Sequence, residues 1–322
     1  MIKMPWRPVM AALVCSAISA GAQAQPYPHK SITIVAPFAP GGSADGIARL
    51  VARELGKGLG QSVVVENKPG AGGATGLLAV AKSQPDGYTI GIGATGAIAI
   101  APHLPDAPPL NPDKQLQPLA KVADIPLVLA ANPQAGYEQL QGFLARARVT
   151  EIPVGNSGQY TAHHLSAELL TSMGKLKTVA VPYKGSAPAV ADLIGGQITV
   201  GVVDLTSVMA HIKSGALKGL AVTSAQRSKL APDIPTMAEA GVAGYVAPAW
   251  MGLFAPKGLP MAISDRLSKE LQTVLGRADV QQQILALSAE PAYLTPAQFA
   301  EFIATESRRW SGVIAGLPKA TP

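Results

Sequence analysis

The chain of 322 residues predicts an α/β fold built as two doubly wound lobes. Three observations carry that prediction. Short apolar runs alternate with amphipathic helical patterns along nearly the whole chain, the signature of βαβ units. Glycine-rich segments follow several of those runs. The length is enough for two domains, each with its own core.

Taken in order, residues 31–37 read as a strand. Residues 43–57 read as a helix, because Ile47, Leu50, Val51 and Leu55 recur on one face. A strand at 62–66, a helix at 74–83 and a strand at 88–93 complete the first set. Proline-rich sequence from Pro102 to Pro112 then breaks the alternation. It reads as an ordered surface loop, since apolar residues stay frequent through it. The second set runs strand 126–131, helix 137–147, strand 152–155, helix 160–173, strand 178–182, helix 187–194, strand 198–203, helix 207–214 and strand 218–223. After a polar stretch at 227–235, a strand returns at 250–255 and the chain ends in helix. There Thr295-Pro296-Ala297-Gln298 forms a capping box with proline at the first helical position. Phe299, Phe302, Ile303, Trp310 and Val313 make the stripe that should be buried.

The start of the chain reads as a secretory signal peptide. Lys3 and Arg7 are basic, an apolar run from Val9 to Ala20 follows, and Ala22-Gln23-Ala24 puts small residues where a signal peptidase cuts. Cleavage is expected after Ala24, with export to the periplasm. Cys15 does not mark a lipoprotein, because Val14 stands where a small residue should precede it. Loss of 1–24 leaves 298 of the 322 residues and removes the single cysteine, so disulfides and thiolate chemistry are excluded from the mature chain. Losing Lys3 and Arg7 lowers the net charge from +6 to +4. Charged residues make up 14% of the chain without a dense basic block, which sets nucleic acid aside as a partner. A weak positive field suits a small anion.

In open parallel sheets ligands bind where loops leave the carboxyl ends of strands. Three such loops stand out. The first is Pro37-Phe38-Ala39-Pro40-Gly41-Gly42-Ser43-Ala44-Asp45, where glycines admit close approach and the next helix presents unpaired N–H groups. Two readings stand there: an anion site, or a tight turn in which Asp45 offsets its own helix dipole. Pro69-Gly70-Ala71-Gly72-Gly73 repeats the logic with less specificity. Gly155-Asn156-Ser157-Gly158-Gln159-Tyr160-Thr161-Ala162-His163-His164 supplies hydroxyls, an amide and a helix start in the second set.

Other motifs fail on inspection. Gly91-Ile92-Gly93-Ala94-Thr95-Gly96 fits a dinucleotide fingerprint, but Pro102 and Pro105 deny it the long crossover helix. Neither Gly41-Gly42-Ser43-Ala44-Asp45 nor Gly155-Asn156-Ser157-Gly158-Gln159 completes a nucleophile elbow, since the last glycine is missing. His163 and His164 are adjacent, so on a helix they diverge and cannot share a metal. One should face solvent, the other should pack or hydrogen-bond near the cleft. Asp204 ends a strand and reads first as the N-cap of the helix at 207, ahead of a ligand contact. Trp250 either fills the junction between lobes or lines the cleft. No catalytic residue, metal or cofactor is expected.

With these residues in place the chain resembles the Bug receptors, the extracytoplasmic solute-binding proteins of tripartite tricarboxylate transporters. The match runs from about Tyr27 to Ile314. It rests on the first loop, on Glu66-Asn67-Lys68-Pro69-Gly70-Ala71-Gly72-Gly73, Pro85-Asp86-Gly87-Tyr88 and Val181-Pro182-Tyr183-Lys184-Gly185. It continues through Asp192-Leu193-Ile194-Gly195-Gly196-Gln197-Ile198, His211-Ile212-Lys213-Ser214-Gly215 and Gly252-Leu253-Phe254-Ala255-Pro256. The order and spacing of these segments together make the match specific.

The resemblance implies a class II Venus-flytrap architecture: lobe 1 from 25–124 plus 247–322, lobe 2 from 125–246, with the C-terminal helices returning to lobe 1. It implies a ligand carboxylate met by backbone amides, with contacts at Phe38, Ala39, Gly42, Ser43, Ala44, Ser157, Gly158, Thr161, Gly185, Ser186 and Asp204. Asp45 joins them as a candidate from the first loop. Asn156, Gln159 and Leu205 depart from the family's pattern and alter the polar lining. The implied partners are a small carboxylate and the membrane subunits of a transporter, or a sensor kinase fed by the same fold, with the receptor acting as a monomer. A secreted α/β hydrolase is the alternative from another class, and the incomplete elbow speaks against it.

Overall fold

The computed structural model describes residues 27–317. The signal peptide expected at 1–24 and its cleavage site lie outside them. Strand β1 (Ile32–Ala36) buries four of its five residues and leads into α1 (Ser43–Leu59). The expected stripe of Ile47, Leu50, Val51 and Leu55 is buried there, and Gly60 ends the helix in the left-handed conformation that glycine adopts without strain. Strand β2 (Val63–Asn67), α2 (Ala74–Ala81) and β3 (Thr89–Ala94) follow. The proline-rich stretch holds only short turns and α3 (Pro112–Gln115), capped by Asn111.

Strand β4 (Leu116–Ile125) then crosses directly into β5 (Leu127–Ala131). The second lobe continues through α4 (Leu140–Val149), β6 (Ile152–Asn156), α5 (Ala162–Gly174), β7 (Thr178–Pro182) and α6 (Ser186–Ile194). It closes with β8 (Val200–Asp204), α7 (Leu205–Lys213) and β9 (Lys218–Val222). The chain returns as β10 (Ala249–Pro256), then α8 (Met261–Gly276), α9 (Ala278–Ala286), β11 (Glu290–Leu294) and α10 (Pro296–Gly316).

Two sheets result, one ordered β11-β4-β10-β3-β1-β2 and the other β7-β6-β8-β5-β9. Each keeps a parallel block along one side, β2-β1-β3 and β7-β6-β8, of the kind the alternating pattern predicts. Each is extended by antiparallel strands that the alternating pattern alone did not indicate. The returning β10 runs against β3 and β4, and β5 runs against β8 and β9. The two crossings between sheets lie side by side, because Ala249 pairs with Ile125 next to Pro126.

Strands β4 and β11 were not expected from sequence. Pro118 and Lys121 disguise β4, and Pro291 disguises β11. Pro118 is tolerated beside a register shift at Leu253/Phe254, and Pro291 sits on an edge strand, the two settings where a missing N–H costs little. Lys121 is buried because its ammonium meets Asp124 at 2.7 Å and stands 4.2 Å from the Phe302 ring centre. The capping box at Thr295 and Gln298 forms as expected, and α10 lays Phe299 and Trp310, both fully buried, on the first sheet. Trp250 meets Phe299 and Phe302 edge-on, with ring centres 5.4 and 5.5 Å away.

Candidate functional site

Four parallel strands, β1, β6, β7 and β8, deliver their carboxyl ends to one cleft between the sheets. The helices that follow, α1, α5, α6 and α7, start there. The caps of α1, α6 and α7 make no side-chain bond to their first turns. Only Thr161 caps its own helix, accepting from the His164 N–H. The cleft therefore gathers helix N-termini and little fixed charge, a setting that favours an anion.

The enclosed space is about 30 Å³, the room of about two or three water molecules. Ten of the twelve expected residues line it: Phe38, Ala39, Gly42, Ser43 and Ala44 from the first lobe, and Ser157, Thr161, Gly185, Ser186 and Asp204 from the second. Gly42 has φ −89°, and a β-carbon there would meet nothing within 4 Å. Its backbone faces open space.

Asp45 and Gly158 stand apart from this lining. The Asp45 carboxylate turns back, accepting from the Gly41 N–H at 3.2 Å, the Arg49 guanidinium at 3.0 Å and the Asn67 amide at 3.0 Å. Burial pushes its acidity the other way, but the bonds from Arg49, Asn67 and Gly41 outweigh it and hold the carboxyl below its usual range. Asp45 thus fastens the first loop to its helix and to β2. The Gly158 N–H donates to Asn156 Oδ1 at 2.9 Å, and its carbonyl accepts from Thr161 Oγ1 at 2.6 Å. This is the use of Asn156, one of the departures. Leu205, another, is fully buried at the start of α7.

Asp204 corrects the N-cap reading. It does occupy the N-cap position, of a helix that starts at Leu205 and not at 207, yet its side chain makes no cap bond. One oxygen accepts from Ser43 Oγ across the lobes at 2.8 Å, and the other meets His163 Nε2 at 2.7 Å. The Asp204 N–H donates to Ser186 Oγ at 3.2 Å. Burial alone would raise Asp204, but its pairing with His163, with the Ser43 and Ser186 bonds, holds it below the ordinary carboxylate range. His163 is the buried member of the histidine pair and also bonds Ser157 Oγ through Nδ1. His164 is half-buried, with Nδ1 accepting from the Tyr160 N–H at 3.3 Å, and burial lowers its basicity.

Ser157, His163 and Asp204 form a chain of the residue types used in nucleophilic catalysis. The N–H that follows the serine, which would serve a developing oxyanion, belongs to Gly158 and is already spent on Asn156. The arrangement is better built to hold charge than to make and break bonds.

Sequence reasoning missed Thr95 and Gly96 as lining residues, while Gly72 comes from the second of the three loops it singled out. Thr95 Oγ1 accepts from the Trp250 N–H at 2.8 Å and so ties β3 to the returning strand, while Trp250 lines the cleft. Gly96 belongs to the rejected dinucleotide motif. A β-carbon on it would stand 2.6 Å from the Tyr160 carbonyl, and one on Gly72 would stand 2.4 Å from the Gln159 carbonyl. These glycines let the two lobes touch. The strand-end rule applied to β3 would have pointed to Thr95 and Gly96.

A family model described as the tripartite tricarboxylate transporter family receptor matches residues 47–318. The chain is 38% identical over 307 residues to protein BugT of Bordetella pertussis, covering 94% of each. A Rhodopseudomonas palustris protein solved with adipate superposes with a TM-score of 0.86 at 32% identity, over 90% of this chain and 97% of the other. A second protein from that organism, solved with bound malate, gives a TM-score of 0.84 at 31% identity, over 89% and 100%.

Proposed function

We infer the function from one premise: the chain belongs to the tripartite tricarboxylate transporter family of receptors. It works as a periplasmic binding protein, exported by residues 1–24 with cleavage after Ala24. It closes residues 25–124 with 247–322 over residues 125–246 around a small carboxylate and presents the closed form to membrane subunits. The single observation that carries this reading is the composition of the cleft. Helix starts from both lobes converge on a space lined by hydroxyls, glycines and Trp250, with no lysine or arginine among its lining residues. Relatives of the same fold solved with adipate and malate support the ligand class.

The contacts are assigned to Phe38, Ala39, Gly42, Ser43 and Ala44 on one side and to Ser157, Thr161, Gly185, Ser186 and Asp204 on the other. Asp45 and Gly158 support these residues from behind. The lobes part to admit the acid and close over it. A thermal melt against mono-, di- and tricarboxylates and acidic amino acids tests the reading. A true ligand at ~100 times its Kd adds ~2.7 kcal/mol and raises the melting temperature visibly. Stabilisation by sugars, cations or nucleotides alone would overturn it.

A further inference from the structure

His163 and Asp204 carry the only titratable side chains among the residues lining the cleft. Their hydrogen bonds fix where protons sit. An ionised carboxylate only accepts, so His163 Nε2 must carry a proton toward Asp204 at 2.7 Å. Nδ1 then has two states. Bare, it accepts the Ser157 hydroxyl proton, and every group in the chain is satisfied. Protonated, it donates to Ser157 Oγ, and the serine proton must find another acceptor.

The acceptor within reach is Thr161 Oγ1, at 3.5 Å, a length at which little hydrogen bond remains. That oxygen already accepts from the His164 N–H at 3.2 Å, and its own proton goes to the Gly158 carbonyl at 2.6 Å. Protonating His163 alone therefore leaves a buried hydroxyl proton without a good partner, which is costly. A carboxylate in the cleft beside Ser157 supplies that partner.

We propose that the cleft takes up its carboxylate together with one proton, with His163 as the residue that sets the charge class of the ligand and Ser157 as the donor that protonation releases to it. A proton from solvent binds His163 Nδ1, the Ser157 hydroxyl turns from the imidazole to the ligand oxygen, and no covalent bond changes. The cleft gains one positive charge as it gains one negative charge. Without that proton the ligand would share the cleft with the Asp204 anion, with only the helix N-termini to offset the two charges. The inference rests on the receptor reading given above.

Among the described residues the surroundings of His163 leave it no other charge partner. From α1 comes Ser43, acting through Asp204, while Asp45 is turned away to Arg49 and Asn67. From α6 comes the Ser186 hydroxyl, 3.5 Å from Nε2. On α5 itself, His164 faces Glu168 at 3.8 Å. The first sheet contributes Ile125, Thr95, Trp250 and Met251, none of which titrates. Linkage is reciprocal: if the proton helps the carboxylate bind, the carboxylate helps the proton bind by the same factor.

Isothermal titration of the mature protein with malate and with adipate tests this, run in Tris and in Hepes at about pH 8 and in Mes and in Bis-Tris at about pH 6. The two buffers of each pair release protons with different heats, so the difference in measured enthalpy counts the protons taken up. The expected result is about one proton per ligand at the higher pH, with affinity falling up to about tenfold per pH unit as pH rises. His163→Gln should bind with equal heats in both buffers and without pH dependence. Equal heats in the wild-type protein, with affinity flat across pH, overturn the proton link and leave the receptor standing. Heats of dilution alone for both acids at both pH values would count against the receptor reading itself, and the proton link falls with it. The wild-type titration decides the matter even if the variant fails to fold.

Discussion

Gly42 and Asp45 sit three residues apart in one loop and divide its work. Gly42 has an ordinary negative φ and open space where a β-carbon would be, so the fold does not require glycine there. Gly42→Val should thus cost ~2–4 kcal/mol of carboxylate affinity by filling the ligand's space, with stability nearly unchanged, and Gly42→Ala should cost less. Calorimetry beside denaturant melts reads both; unchanged affinity in the valine variant would remove the loop from the site. Asp45 should behave oppositely. Asp45→Asn weakens the bonds to Arg49 and to the Gly41 N–H and should lower stability by ~1 kcal/mol while leaving affinity flat. The sign with pH follows from its depressed acidity. The folded form holds its proton less tightly than the unfolded chain, so its contribution is whole above the ordinary carboxylate range and is lost as pH falls through the folded value. Melts of the variant and the wild type should therefore converge in acid, and a gap that persists there would contradict this role. Sequence could place Asp45 and Asp204 at strand ends but could not choose their partners. Those partners, Ser43, His163 and Ser186 for Asp204, come from three elements far apart in the chain.

At the level of elements, what was legible followed from local chemistry. The stripe on α1, the glycine after it and the capping box on α10 each act within a few residues, and each forms. Strands β4 and β11 were illegible because their prolines and charges are tolerated only in a tertiary setting: a register shift, an edge, and a ring over which Lys121 lies. The antiparallel partners of each sheet were hidden for the same reason, since direction is decided by where the chain re-enters and not by strand composition. The α10 cap offers a direct check on local energetics. Thr295→Ala removes the bond that Thr295 Oγ1 accepts from the Gln298 N–H and the one its hydroxyl donates to Gln298 Oε1, so stability should fall by ~1 kcal/mol. A denaturant melt measures it, and no loss would mean that packing of Phe299 and Trp310 alone holds the helix start.

On the scale of the whole molecule, two sheets joined by adjacent crossings at Pro126 and Ala249 make a pair of lobes whose facing loops touch through glycine. The crossings account for the architecture, and the strand ends account for the cleft. The reading of a small anion as ligand came from glycine-rich loops and resemblance, while the proton link proposed for His163 needed the folded contacts. The ligand itself should travel with the protein. Native mass spectrometry of freshly purified mature protein should find a fraction carrying one small carboxylic acid, released on denaturation and absent from Gly42→Val. A sugar or nucleotide in its place, or the same acid retained at full occupancy by Gly42→Val, would contradict capture of a carboxylate by this cleft.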